Sequence, residues 1–560
     1  MRSPTTAVVL GFLSSFSVAA PLLDVAVNSA DWTKQEWDAI VVGAGPAGII
    51  VADRLSEAGK KTLLLEDGGK SYGIVGGTDR PDWLSGTNLS RVDVPGLYKS
   101  IFSDGGDLVC GSRVNAYGGC TIGGSSAINA GLYFQPPASD WDDFHPDGWK
   151  NADVQAATQR LYQRQASVEQ YSMDGKYYLQ SGYEAARQWI VDGVGYSDVV
   201  INDAADQKFR VFGRPSYDYA NGQRGGPVTT YLQTALARDN FQLQHGVRVQ
   251  RVARTGAKAT GVVATVDGNE VTIPLSDAGR VVLSGGAVQS PSLLMYSGIG
   301  DEETLSRLAE GGKLAEAPSA WINNTAVGAR LFDNPNTFIE LTGPALSSYT
   351  HSYAAPAAAD EELYLDRRSG PYSFASQTSV FWTYVNHTDG SAPAGVQGTI
   401  DSAGFGDWTD NKTITLNVYG TSGLLSEGRV VLDDQFVAGP SDDVYYSDAA
   451  GRDADDIASF IHDIFAKLPA GLEPLNIGRN ATKDEIRTYI TTPSAYARGM
   501  VNHWSSSCRI GECVDENAVV KGTENVHVVD GSIVAPLTVN PQFGIMVAAE
   551  RASELINALY

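Results

Sequence analysis

The segment DAIVVGAGPAGIIVADRLSEAGKKTLLLEDGG, residues 38–69, decides the fold. Residues 38–42 are an apolar, β-rich run, Gly43-x-Gly45-x-x-Gly48 follows, and a helical pattern ends at Gly59. Thr62–Leu65 then read as a second strand closed by Glu66, 18 residues beyond Gly48 (66 − 48). Each part has a physical task. Gly43 permits the tight turn, Gly45 lets backbone approach a pyrophosphate, and Gly48 allows close helix–strand packing. The helix N-terminus offers unpaired N–H groups and the positive end of its dipole to phosphates. Glu66 is placed to accept hydrogen bonds from ribose hydroxyls. Strand, glycines, helix, strand and acid in register predict a dinucleotide-binding α/β unit, open to either FAD or NAD.

The rest of the chain narrows the setting. At 560 residues it is too long for one core, so two large domains are expected. A formal net charge of −24 repels nucleic acid and anionic membrane alike, so neither is expected as a partner. Residues 1–19 have the layout of a secretory signal: Arg2, an apolar run from Ala7, and small residues at Ser17–Ala19. No segment reaches the length of a membrane span. The sequons at Asn88, Asn323, Asn386, Asn411 and Asn480 fit a secreted glycoprotein. In that compartment a dissociable nicotinamide would be lost, which favours FAD. The four cysteines allow three pairings, and short spacing favours Cys110–Cys120 and Cys508–Cys513. Cys508-x₄-Cys513 is not the Cys-x-x-Cys of thiol oxidoreductases, and no metal-ligand spacing is present, so no metal is expected.

Two further stretches carry the flavin reading. GGCTIGGSSAINAG, residues 118–131, supplies Gly123, Gly124 and Ser125 for close backbone approach to a flavin and pyrophosphate, with Asn129 hydrogen-bonding nearby. GRVVLSGGAVQSPSLLMYSGIG, residues 279–300, reads as a buried strand, a turn and a helix. Residues 119–129 and 286–300 resemble the two signatures of the glucose–methanol–choline (GMC) oxidoreductases, and 526–556 resembles that family's closing strand, turn and helix. Within the family the chain most resembles the dehydrogenase domain of cellobiose dehydrogenases. The matching stretches are VPGLYKSIF (94–102), GLYFQPPASDWDDFHPDGWK (131–150), RGGPVTTYLQTALARDNF (224–241), SEGRVVL (426–432), NHW (502–504) and NPQ (540–542). Neither their haem domain nor a cellulose-binding module is expected here.

The resemblance implies a GMC-type α/β fold. A Rossmann-like FAD-binding domain would be assembled from 36–135, 225–315 and 495–560. An α+β substrate domain, 136–224 and 316–494, would hold a large, mostly antiparallel sheet. The runs TITLNVYG (413–420) and RVVLDD (429–434) are expected to be strands of that sheet. The resemblance also implies oxidation of an alcohol, with hydride passing to flavin N5 while a base removes the hydroxyl proton. His503 is the expected base and Asn540 its neutral partner; an imidazole starts near the pKa such a base requires. Further cofactor contacts carried over are Val249, Asp530 and the helix start after Asn540-Pro541. With no histidine in 118–131, where some relatives attach flavin, the FAD is expected to be non-covalent.

The substrate pocket is expected around Phe102, Asp401 and Val501. Here the chain departs from cellobiose dehydrogenases: a sugar-contacting arginine of theirs falls at Asp401, and an acidic position of some falls at Lys99. The expected reaction is oxidation of an anomeric hydroxyl of a sugar or oligosaccharide, with quinone or an extracellular redox protein as acceptor. An aryl- or natural-product-alcohol oxidase, and a non-redox cyclase with structural FAD, are the alternatives.

Overall fold

The computed structural model describes residues 32–560, so the expected signal at 1–19 lies outside the described residues. Strands Trp37–Val42, Thr62–Glu66 and Phe241–His245 pair in parallel, and Trp37–Val42 also runs parallel to the C-terminal end of the long strand Asn269–Leu283. The first two are buried almost throughout, as befits parallel strands covered on both faces. The other end of Asn269–Leu283 turns back antiparallel with Lys258–Val266, which pairs with Arg248–Thr255. Val526–Val528 adds to the same sheet, and the helices Pro46–Glu57 and Gln542–Asn557 pack together beside it.

A second sheet has Pro335–Thr342, Thr413–Gly420, Ala394–Asp401 and Gln377–Val385 as successive antiparallel neighbours. The period-2 alternation of these strands divides its faces. Ile339, Leu341, Val396, Ile400, Ile414, Leu416 and Val418 turn to a core shared with Ile457 and Ile461 of the helix Arg452–Phe465. Asn336, Phe338, Thr399, Asp401, Thr415, Asn417 and Tyr419 turn the other way, towards a large cavity.

The mixed sheets, one Rossmann-like and one mostly antiparallel, match the expected fold class. Thr413–Gly420 is a strand of the large sheet as expected. The run 429–434 is not. Val430–Leu432 pairs only with Ala438–Pro440, in a separate two-stranded ribbon. The reason is local: Asp433 Oδ1 accepts from the backbone N–H of Gln435 and Val437, each at 2.8 Å, which closes a turn directly after the run. Ala497–Met500, within the 495–560 segment assigned to the dinucleotide unit, hydrogen-bonds to Pro335–Thr342 of the second sheet.

Candidate active site

A cavity of about 1140 Å³ lies between the two sheets, and a smaller one of about 140 Å³ adjoins it. Gly119, Ser125, Gly285, Gly286 and Gln289 border both. The smaller cavity is walled by Gly43, Gly45, Glu66, Gly124 and Val249. Gly43 has φ +105°, and a Cβ on Gly48 would stand 1.9 Å from the Gly43 carbonyl, so both glycines are required by the turn itself. A Cβ on Gly45 would meet nothing nearer than 4.0 Å. Its bare backbone therefore answers to what enters the cavity and not to packing. Glu66 accepts from the backbone N–H of Ala44 at 2.8 Å and Gly68 at 2.9 Å, and burial pushes its carboxyl up to about 7.

Three helices, Pro46–Glu57, Gly286–Tyr296 and Gln542–Asn557, present their N-terminal residues to the larger cavity. Their dipoles and free N–H groups favour an anion such as a pyrophosphate. Asp530 is buried there and accepts from Gly286 N–H at 2.8 Å and Ser290 Oγ–H at 2.6 Å; burial raises its carboxyl. Asn129 takes N–H donation from Gly131 and Arg224 and donates to Gln542, which ties its loop to the closing helix. The Ser125 hydroxyl accepts from Gly119 N–H at 3.1 Å. Apolar walls, bare glycine backbone and converging helix starts fit a dinucleotide with a pyrophosphate at its centre.

The reactive end is ordered by a chain of amide bonds whose directions are forced. Trp382 Nε1–H can only donate, and it donates to Gln397 Oε1 at 2.8 Å. Gln397 Nε2 must then donate to Asn540 Oδ1, at 2.9 Å, and Tyr419 O–H donates to the same oxygen at 3.1 Å. This turns Asn540 Nδ2 towards His503 Nε2, 3.3 Å away. On the other side of the ring, Asn334 Nδ2 donates to the Gly420 carbonyl at 2.7 Å, so Asn334 Oδ1 faces His503 Nδ1 at 2.8 Å. Nδ1 therefore carries the proton, and Nε2 keeps its lone pair beside Asn540 in the cavity wall. Burial holds the imidazole down to about 3, so it is neutral at physiological pH. Asp333 fixes the backbone behind it, accepting from the N–H of His503 at 2.7 Å and of Asn502 at 3.1 Å. Asn502 needs that support because its φ is +66°.

Comparison with known proteins agrees with this geometry. Residues 98–336 and 425–549 match the N- and C-terminal sequence profiles described as GMC oxidoreductase. The chain belongs to the GMC oxidoreductase family. An oxygen-dependent choline dehydrogenase of Rhizobium johnstonii is 28% identical over 316 residues, 54% of this chain and 54% of that protein. The chain spans about half the length of the curated relatives it matches. A single-residue variant of the formate oxidase of Aspergillus oryzae RIB40 shares the fold at TM-score 0.74 and 17% identity, over 94% of this chain and 99% of that one. An FAD-dependent oxidoreductase from Chaetomium thermophilum does so at 0.69 and 17%, over 93% and 99%.

In this GMC oxidoreductase the residues singled out from the sequence gather as follows. His503, Asn540, Pro541, Asp530, Asn129 and Ser125 all border the larger cavity, as do Phe102, Asp401 and Val501. Gly123 does not border either cavity, contrary to the expectation for it. Its φ is +99° and its open side packs against Val228, Ala127 and Tyr72, so it shapes the loop from within. Both expected disulfides are formed, Cys110–Cys120 and Cys508–Cys513. Lys99 Nζ stands 2.7 Å from Asp401 Oδ2, so the two charge departures are halves of one ion pair. Sequence reasoning missed Asn334, Asp333, Gln397 and Tyr419, which carry no motif of their own. It also passed over His351, which borders the cavity with Nε2 at 2.9 Å from the Pro371 carbonyl. Among the described residues no cluster of His, Cys, Asp and Glu could hold a metal, and no helix is long and apolar enough to cross a membrane.

Proposed function

We propose that this chain is a secreted, FAD-dependent dehydrogenase that oxidises the anomeric hydroxyl of a sugar or oligosaccharide. The observation that carries the reading is the pair His503 Nε2 and Asn540 Nδ2, 3.3 Å apart in the cavity wall, one a lone pair and the other a donor. A substrate hydroxyl placed between them gives its proton to Nε2 and accepts from Nδ2. FAD bound in the dinucleotide cavity supplies the hydride acceptor. Asn334 and Asn540 hold the imidazole in the tautomer that can take the proton, and Asp333 holds its backbone.

Non-covalent attachment is supported by the lack of a histidine in 118–131. Secretion is supported by the layout of residues 1–19, by two disulfides, and by five sequon asparagines that are all exposed. The similarity to cellobiose dehydrogenases and the polar sheet face in the cavity support a sugar over an aryl alcohol. Quinone, or a separate extracellular redox protein, is the acceptor of this reading. The cavity between the sheets is where the FAD-binding and substrate domains meet.

The test is an anaerobic flavin-bleaching screen over sugars and aryl alcohols, followed by air. Bleaching by a reducing sugar with slow reoxidation in air supports the reading. Prompt reoxidation by air makes the enzyme an oxidase, and no bleaching by any alcohol favours a structural cofactor. His503→Ala should bind FAD yet lose roughly 10²–10⁴-fold in turnover; near wild-type turnover refutes the assignment of the base.

A further inference from the structure

Asn540 is held by its side chain through Gln397 and Tyr419, but its backbone needs holding as well. On one side Pro541 biases the Asn540 backbone towards extended conformations and precedes the helix Gln542–Asn557, which is packed into the dinucleotide unit. On the other side residues 534–540 form neither helix nor strand, so no ladder fixes them. They are nonetheless buried around Thr538, which is 1% exposed, and Val539, 2%. Backbone polar groups in such a segment need partners from elsewhere in the chain.

The short helix Ala138–Phe144 and the residue after it supply them. Thr538 N–H donates to Asp140 Oδ2 at 2.7 Å, and Thr538 Oγ–H to Asp140 Oδ1 at 2.6 Å. One carboxyl thus fixes both the backbone and the side chain of Thr538. His145 fixes the start of the segment. Its Nδ1–H donates to the Asp140 backbone carbonyl at 3.0 Å, since a carbonyl only accepts, and its Nε2 accepts from Ala535 N–H at 3.3 Å. Asp140 is buried, and burial pushes its carboxyl up to about 7. The hold survives protonation: Oδ1–H then donates to Thr538 Oγ, whose hydrogen turns to Ser422 Oγ, 2.7 Å away. Lys208, also buried, gives Asp140 a counter-charge. Two residues of chain, roughly 7 Å, separate Thr538 from Asn540. A shift of Thr538 is carried along them to the amide that faces His503 Nε2.

We propose that Asp140 is a positioning residue for the oxidation: through Thr538 it sets where the Asn540 amide stands against His503. This rests on the base-and-amide reading above and not on which alcohol is the substrate. The experiment measures anaerobic flavin reduction, by the alcohol that bleaches wild type fastest, in Asp140→Ala, Asp140→Asn and Thr538→Val. Flavin content and melting temperature are the controls of folding. Asp140→Ala should lower the limiting rate about tenfold or more, with KM within about twofold of wild type. Asp140→Asn can accept from Thr538 N–H and donate to Thr538 Oγ, as the protonated acid does, and should recover most of that rate. A role confined to balancing the Lys208 charge would leave Asp140→Asn as slow as Asp140→Ala, which overturns the proposal. Thr538→Val keeps both charges in place and should be slowed too; it decides the matter if Asp140→Ala does not fold. Placed on Asn540→Ala, Thr538→Val should cost no further rate. An unchanged rate in Thr538→Val, or a full further loss on Asn540→Ala, overturns the proposal. So does a crystal structure of Thr538→Val with Asn540 Nδ2 still 3.3 Å from His503 Nε2. Bleaching by no alcohol sinks the functional reading, and that crystal structure then decides the placement of Asn540 by itself.

Discussion

Asn334 Oδ1 stands 2.8 Å from Nδ1 of His503, while the same amide donates to the Gly420 carbonyl. One side chain thereby decides which imidazole nitrogen is free to take a proton. Replacing it by alanine removes a hydrogen bond of about 1–2 kcal/mol, which corresponds to roughly 5- to 30-fold in rate. Asn334→Ala should therefore lower the limiting rate of flavin reduction by that factor with little change in KM. Stopped-flow reduction under anaerobic conditions checks it, and an equal loss in KM would show that Asn334 serves binding instead.

The pH behaviour of the base follows from its burial. His503 is held down to about 3, below its ordinary 6.5, so it stays neutral above roughly pH 4. Flavin reduction should show no inflection from this group between pH 5 and 8. An inflection near 6.5 would mean that the ring is solvated. Stability follows the same sign. A depressed folded-state value means the unfolded chain binds the proton first, so this contribution is present above pH 6.5 and is lost as pH falls towards 3. The melting temperature of wild type minus that of His503→Gln should therefore decrease on acidification across that window.

Two glycines of one motif should fail differently. A Cβ on Gly48 would strike the Gly43 carbonyl at 1.9 Å, so Gly48→Ala should destabilise the unit or prevent its folding. Gly45→Ala meets nothing nearer than 4.0 Å and should yield a folded chain with weakened cofactor retention. Flavin-to-protein absorbance after gel filtration, beside a melting curve, separates the outcomes. Full flavin content in Gly45→Ala would sink the claim that bare backbone here answers to the cofactor.

The two disulfides should also be unequal. Chain-entropy estimates give about 3 kcal/mol for the ten-residue loop and about 2 kcal/mol for the five-residue one. Cys120 borders the smaller cavity, whereas Cys508 and Cys513 are buried away from both cavities. Cys110→Ser with Cys120→Ser should lower melting temperature and flavin retention together, and Cys508→Ser with Cys513→Ser only the former. Equal flavin content in both double variants would refute the distinction.

Much of the fold was legible because its signals are local. The strand-turn-helix at 37–57 is written in an apolar run, three glycines and Pro46 at the first helical position. Thr413–Gly420 was legible for the same reason, whereas 429–434 was misassigned. An apolar run shows that a strand forms but not which strand it pairs with, and Asp433 folded this one back on its neighbour. His503 and Asn540 were found through their resemblance to a family and not through spacing, since 37 residues separate them.

What the sequence by itself determined is therefore the dinucleotide unit, while it favoured the disulfide pairs and marked His503 and Asn540 as the expected base and partner, because glycine conformation, short loop closure and family motifs act over short stretches. What only the tertiary structure decided is the arrangement around them. Asn334 meets His503 across 169 residues, Gln397 meets Asn540 across 143, and Lys99 meets Asp401 from another part of the chain. Those side chains are ordinary polar residues in sequence. They become a tautomer lock, an amide clamp and an ion pair because sheet register and close packing bring distant strands within hydrogen-bond range in a buried wall, where a polar group gains most from a partner.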